Sequence, residues 1–406
     1  MEKTIKILQL APRFTFPPDD GGKIGIANIT KQFKHLGVEV IFFCFNDYSF
    51  CDPDLSLIDE FAEPLIYEHS TQNTAFRILK SLFRKQSLYF SKHYNREIIA
   101  YLEAVVKSNE FDIIHADHSC MAPIALHLKN KFNIPAGLRL HNIEHLIWQR
   151  YADVLPSHSL KRKYIQSQAN KIKLDEQSVY PQFDVTFSIT EPDRLKASEL
   201  APNAHIITST AGVNIEEWTP VGSVSKIPNQ LVLATTYHWR HNVDGVVWFI
   251  ENVITKLRSK IPDISLQLIG KEAPASLNGY SDLGVNLVGY VDDVKPYLSQ
   301  ASLYISPLFV GGGIRIKILE AMSMKLPVIA TTVAAEGIEA GENEGLFRCD
   351  NPENYSNVIE MLLDNEDKRK ELGENARKCI QTKYSWETNV KIIYYSYCEI
   401  INQKLK

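Results

Sequence analysis

A chain of 406 residues is too long for one ordinary hydrophobic core and implies two domains. With 45% hydrophobic and 23% charged residues it has the composition of a soluble globular protein, and a formal charge of −4 argues against nucleic acid as a partner for the surface as a whole. No run approaches the roughly 18 apolar residues of a membrane-spanning helix, and six scattered cysteines show neither disulfide nor metal-site spacing, as expected in a reducing cytoplasm. The start Met1-Glu2-Lys3-Thr4 leads straight into a strand, with no basic-then-apolar signal segment.

Residues 6–11 form a short apolar strand pattern. The loop Pro17-Pro18-Asp19-Asp20-Gly21-Gly22-Lys23 follows, then a helical pattern through Ile24, Ile29, Phe33 and Leu36 that closes at Gly37. Residues 38–45 are the next strand. Strand, glycine loop, helix, strand is the opening of a parallel α/β sheet. Residues 76–96 hold six cations (Arg77, Lys80, Arg84, Lys85, Lys92, Arg96) and no acid, interleaved with aromatic and aliphatic residues. This pattern suits either a surface helix packed on the sheet or one lying on an anionic membrane. Further strands fall at 112–116, 137–141, 183–188 and 205–208. Gly, Pro and Ser then concentrate, and a second series of strands occupies 231–234, 264–270, 285–288, 303–306 and 328–330, with helical patterns between them. The last segment has a capping serine, Ser385, and one apolar face of Val390, Ile393, Tyr394, Tyr397, Ile400 and Ile401. The expected architecture is α/β, with two Rossmann-like doubly wound domains facing a central cleft. They are an N-terminal domain (1–212) and a C-terminal domain (230–384), joined by a linker (213–229), with a C-terminal helix (385–406) returning to the first domain.

The most informative stretch runs from Ile305 to Met322. A strand breaks at Gly311-Gly312-Gly313 and resumes as a helix from Ile314. Such a turn leaves backbone N–H groups free at the positive end of a helix dipole, a natural phosphate site, and Arg315 and Lys317 add charge there. Glu320, further in, is suited to the vicinal diol of a ribose; diphosphate plus ribose means a nucleotide. The plainer alternative is a turn followed by an ordinary Lys317–Glu320 pair. Near the N-terminus, Asp20-Gly21-Gly22-Lys23-Ile24-Gly25 departs from the dinucleotide fingerprint at its first glycine. Gly21 and Gly22 still permit close backbone approach to a phosphate or sugar. His141 ends a strand, where an open α/β sheet meets its ligand; a histidine satisfied by neighbouring backbone is the alternative. His141 and His145 lack the His-Glu-x-x-His arrangement and a third ligand, so no metal site is expected. Asp52-Pro53-Asp54 reads as a turn, and neither a nucleophile elbow nor a P-loop is present.

These residues, together with Arg139-Leu140-His141-Asn142-Ile143-Glu144 and Trp239-Arg240-His241-Asn242-Val243-Asp244-Gly245, resemble glycosyltransferase family 4 and its GT-B fold. The resemblance implies retaining transfer of a sugar from a nucleotide-sugar, with no metal ion and no cofactor beyond that substrate. It places Glu320 on the ribose, and the amides around Gly312, Gly313 and Ile314, next to Gly311, on the diphosphate. His141 falls near the transferred sugar, with Gly21 and Gly22 on the opposite wall. Two departures stand out. Gly312 occupies the place of a sugar-contacting glutamate, and Thr236 and Asn242 occupy those of an Arg and a Lys. Arg315 and Lys317, with Arg240, are inferred to replace the lost charge. The acceptor is expected to be a glycan or lipid-linked molecule in cell-surface polysaccharide or glycoconjugate synthesis. The expected location is cytoplasmic, and contact with the inner membrane face is one of the two readings of 76–96, beside a surface helix packed on the sheet. A nucleotide-sugar epimerase and a non-catalytic nucleotide-sugar-binding subunit are the competing readings.

Overall fold

The computed structural model describes residues 4–18, 21–47, 53–311 and 313–404. They form two compact units, one of Met1–Thr210 with Asn389–Lys406 and one of Ala211–Thr388. The first is built on seven parallel strands: β1 Lys6–Ala11, β2 Glu39–Asn46, β3 Glu63–Glu68, β4 Ile113–Asp117, β5 Ala136–Leu140, β6 Val185–Ser188 and β7 Ile206–Thr208. Their order is β3-β2-β1-β4-β5-β6-β7, so the winding reverses between β1 and β4. Strands covered by helices on both faces need continuous apolar runs, and six of the eight residues of β2 are buried accordingly. The helix Gly21–His35 follows β1 and buries Ile26, Ile29 and Phe33 against the sheet. It ends before Gly37, whose φ of 75° is a left-handed value suited to glycine.

The second unit has six parallel strands: β8 Gln230–Ala234, β9 Ser265–Ile269, β10 Val285–Gly289, β11 Leu303–Ser306, β12 Val328–Ala330 and β13 Leu346–Arg348. The order β10-β9-β8-β11-β12-β13 reverses between β8 and β11. Separate apolar clusters fill the two faces of this sheet, one around Tyr304, Ile318 and Met322, the other around Phe249, Ile305 and Tyr355. In open α/β sheets ligands bind beyond the strand ends where the winding reverses. The relevant segments are therefore those after β1 and β4 in one unit, and after β8 and β11 in the other.

Two strands, β3 and β13, escape the sequence pattern, and both are sheet edges. The β3 sequence Glu63-Pro64-Leu65-Ile66-Tyr67-Glu68 carries a proline and two flanking acids, which an edge tolerates and a central strand does not. Residues expected as a linker are structured. The Val213 amide donates to the Tyr384 carbonyl at 2.7 Å, which ties this segment to the second unit. The terminal helix Trp386–Lys404 buries Val390, Ile393 and Tyr397. Tyr397 reaches His115 Nδ1 at 2.5 Å, and a Cβ at Gly137 would collide with its ring. Among the described residues no helix is long and apolar enough to cross a membrane.

Candidate functional site

In the second unit the helix after β11 is Ile316–Ser323, with Arg315 as its N-terminal flanking residue. The expectation of a helix from Ile314 is therefore corrected: the glycines extend a loop ahead of the first turn. Gly313 takes a left-handed φ of 75°, a shape that holds the chain open there. Gly312 lies outside the described residues. Arg315 folds back over this loop. Its Nη1 donates to the Gly313 carbonyl at 3.2 Å, and a side chain at Gly311 would collide with its Nη2. Burial lowers the Arg315 pKa, opposed by the nearby charge of Glu336. His241 is held below its ordinary range by burial and then by the charge of Arg315. The loop is anchored from below: Thr331 Oγ1 donates to the Leu308 carbonyl and Tyr304 OH to the Ala234 carbonyl at 2.9 Å. Ile314 packs partly buried against the adjoining core. Arg240 points away, 88% exposed in its side chain and paired to Asp244 at 2.8 Å.

Glu320 lies in the second turn of that helix and is only 4% exposed. Lys317 Nζ lies 2.9 Å from its Oε2 and over the Trp218 ring at 5.5 Å. The ammonium is off the hydrogen-bonding direction, however, so Oε2 has no aligned donor. Burial raises the Glu320 pKa against the pull of Lys317. An incompletely satisfied buried carboxylate is costly. Glu320 stands five residues after Arg315, in the helix that follows the glycine loop.

In the first unit, a buried polar cluster lies under the helix that opens at Gly21 and Gly22. Gly25 allows the approach: a Cβ there would sit 3.2 Å from Arg139 Nη1 and 3.5 Å from His141 Cε1. Asp117, Arg139 and His141 are all buried. Arg139 Nη1 lies 2.8 Å from His141 Nε2 and 3.5 Å from Asp117 Oδ1, while Gln9 Nε2 donates to Asp117 Oδ2 at 2.9 Å. Guanidinium only donates, so His141 Nε2 must accept and its proton resides on Nδ1. Burial and then the Arg139 charge push the His141 pKa down to about 4, so the ring is neutral. Burial alone would raise Asp117; the contacts with His115, His141 and Arg139 outweigh it and keep the carboxylate ionised. His118 stacks on His141 at 3.6 Å and has a φ of 69°, strain of the kind stored at functional sites. His141 and His145 have separate partners, Arg139 for one and Glu176 Oε2 at 2.5 Å for the other. Among the described residues no group of three metal-ligating side chains is assembled.

Sequence reasoning missed Asp117, named Arg139 only as part of the motif behind the resemblance, and considered His118 only as a helper to a metal site. The signal was there: charged residues inside β4 and β5, strands otherwise apolar. Glu144, quoted there only as the end of that motif, is a buried acid beside Glu176, and burial and then the Glu176 charge raise its pKa to about 7. A raised carboxyl pKa means that the folded state holds a proton the unfolded chain has released. Its stabilising share is present at pH 4.5 and lost as pH climbs through 7. We expect Glu144→Gln to raise the unfolding free energy by roughly 1–3 kcal/mol at pH 8, with little change at pH 4.5. Chemical denaturation at the two pH values reads this, and equal effects at both would refute it.

Residues 229–365 match the family "Glycosyl transferases group 1". Over its length the chain is similar to an uncharacterised 44.6 kDa protein of the cps region of Klebsiella pneumoniae, 20% identical over 408 residues, covering 93% of this chain and 96% of that one. Its structure is similar to sucrose-phosphate synthase from Thermosynechococcus elongatus, with a TM-score of 0.70 and 16% identity over 98% of this chain and 100% of that one. It is also similar to Anabaena HepE in complex with UDP and glucose, with a TM-score of 0.64 and 14% identity over 97% of this chain and 100% of that one. The fold is thus that of the two-Rossmann, GT-B glycosyltransferases. The stretch that matches the group 1 glycosyl transferases lies within the second unit.

Proposed function

We propose that this protein is a retaining glycosyltransferase of family 4, moving a sugar from a nucleoside-diphosphate sugar to a glycan or lipid-linked acceptor in cell-surface polysaccharide or glycoconjugate synthesis. The observation that carries this reading is Glu320: a buried carboxylate with an unaligned oxygen, five residues after an arginine folded over a glycine loop. In this reading Glu320 accepts from the ribose hydroxyls, and the loop amides with Arg315 and Lys317 hold the diphosphate. The HepE structure, with UDP and glucose bound, supports a donor of that type.

Charge governs the chemistry. As the anomeric carbon parts from the diphosphate, negative charge collects on the departing oxygen, and fixed positive groups there are the strongest lever. Arg315 and Lys317 supply that charge without a metal ion. The acceptor oxygen bonds to the anomeric carbon on the face the phosphate leaves, and its proton passes to the departing phosphate oxygen. His141, neutral and protonated on Nδ1, serves as a hydrogen-bond donor to a substrate hydroxyl. It is a weak candidate for a base, because its accepting nitrogen is occupied by Arg139. Gly21 and Gly22 open a 15-residue helix, whose N-terminal end suits an anion.

A panel of nucleotide-sugars, read by thermal shift and then by nucleoside diphosphate release, tests the proposal. We expect one donor to raise the melting temperature and to release its diphosphate only when an acceptor is added. Conversion of the donor with no acceptor would favour the epimerase reading instead. Binding without turnover on any acceptor would favour a non-catalytic subunit.

A further inference from the structure

The helix Ala75–Phe83 is mounted the wrong way round for a core helix. Its buried residue is Ser81, whereas Phe76, Leu79, Leu82 and Phe83 are 72%, 57%, 47% and 86% exposed. Amphipathic helices normally turn the apolar side inward. Here the polar side is held down: Ser81 Oγ lies 3.0 Å from Tyr164 OH, and Lys171 Nζ donates to the carbonyls of Ser81 and Arg84, both at 2.7 Å. Those partners belong to the helix Leu160–Val179, which adds exposed apolar residues of its own, Leu160 at 82% and Leu174 at 64%. Residues 160–174 carry five cations and no acid, like 76–96 with its six. Arg77, Lys80, Arg84 and Lys92, with the exposed Phe76, also line a recess of about 220 Å³.

We propose that this two-helix face docks the protein on an anionic lipid bilayer. Phe76, Leu79 and Phe83 enter the boundary between headgroups and acyl chains, while the cations meet lipid phosphates, with the recess as a seat for one. Charge decides among occupants. A second copy would set cations against cations, and a neutral apolar partner would leave them unanswered. An anionic membrane answers both the apolar side chains and the charge. The proposal is independent of the donor reading, because diphosphate release can be followed without vesicles.

The test is co-sedimentation of the full chain with vesicles of phosphatidylcholine alone or mixed with phosphatidylglycerol. We expect at least about tenfold stronger partition onto the anionic vesicles, weakening as salt is raised. The double variant Phe76→Ser/Phe83→Ser should lose roughly tenfold in partition at unchanged charge, and Lys80→Glu/Lys85→Glu at least as much. All four positions are exposed, so an unchanged unfolding temperature confirms an intact fold. Equal binding to both vesicle types, or binding undiminished in either variant, overturns the proposal. So does a wild-type dimer that Phe76→Ser/Phe83→Ser dissolves, which would give the face to a second copy.

Discussion

Glu320→Gln is expected to weaken nucleoside diphosphate binding by roughly 30- to 150-fold, while leaving the unliganded protein as stable as before or more so. The affinity figure follows from replacing one of two charge-assisted hydrogen bonds to ribose hydroxyls, about 2–3 kcal/mol. The stability figure has the opposite sign because burial raises the Glu320 pKa. Its folded-state proton is a stabilising share present at low pH and lost as pH rises through the folded value, and glutamine has no proton to lose. Calorimetric titration with UDP and other nucleoside diphosphates, beside urea unfolding at pH 5 and pH 8, reads both. Unchanged affinity for the nucleotide that binds wild type would remove the ribose assignment. A large loss of stability at every pH would instead make Glu320 a structural residue. A variant that binds worse and folds better is the mark of a group kept for its ligand.

Arg139→Met should have the largest effect on stability, about 3–5 kcal/mol, because it removes the guanidinium 3.5 Å from the buried Asp117 carboxylate. Adding Asp117→Asn to it should recover part of that loss, since the two charges answer each other. A merely structural role predicts no more than this. A positioning role predicts that the His141 ring also changes. With Arg139 gone, Nε2 no longer accepts and is free to carry the proton toward Asp117 Oδ1, 3.4 Å away. The ring pKa should rise from about 4 as the neighbouring cation is removed. Nitrogen-15 chemical shifts of the His141 ring, followed against pH, separate the cases: an unmoved tautomer and pKa would leave Arg139 as structural support only.

Much of the architecture is legible because it rests on local periodicity. Central parallel strands must be apolar on both faces, so β1, β2, β8 and β11 stand out as runs, and glycines mark the loops after β1 and β11. The glycine loop, Arg315, Lys317 and Glu320 lie within ten residues of one another, and so their proximity is visible in one dimension. Two of the four edge strands, β3 and β13, are not, because an edge needs only one partner and tolerates proline and charge. The start of the helix at Ile316 was also hidden, since a glycine triplet suits an extended loop as well as a first turn.

What only the tertiary structure decided is the state of the charges. Nothing in the chain near Arg139 announces that it would meet Asp117 and set the His141 tautomer. Those residues sit on neighbouring strands, β4 and β5, whose pairing is a property of the sheet. Likewise, the pattern of 76–96 told that a helix there would be amphipathic, but not which side would face out. Ser81 is buried through bonds to residues more than eighty positions away. Sequence by itself determined the elements and the short-range phosphate-like loop, because those depend on neighbours along the chain. Burial and long-range pairing determine desolvation, and desolvation sets which of these groups is neutral, charged or left wanting a partner.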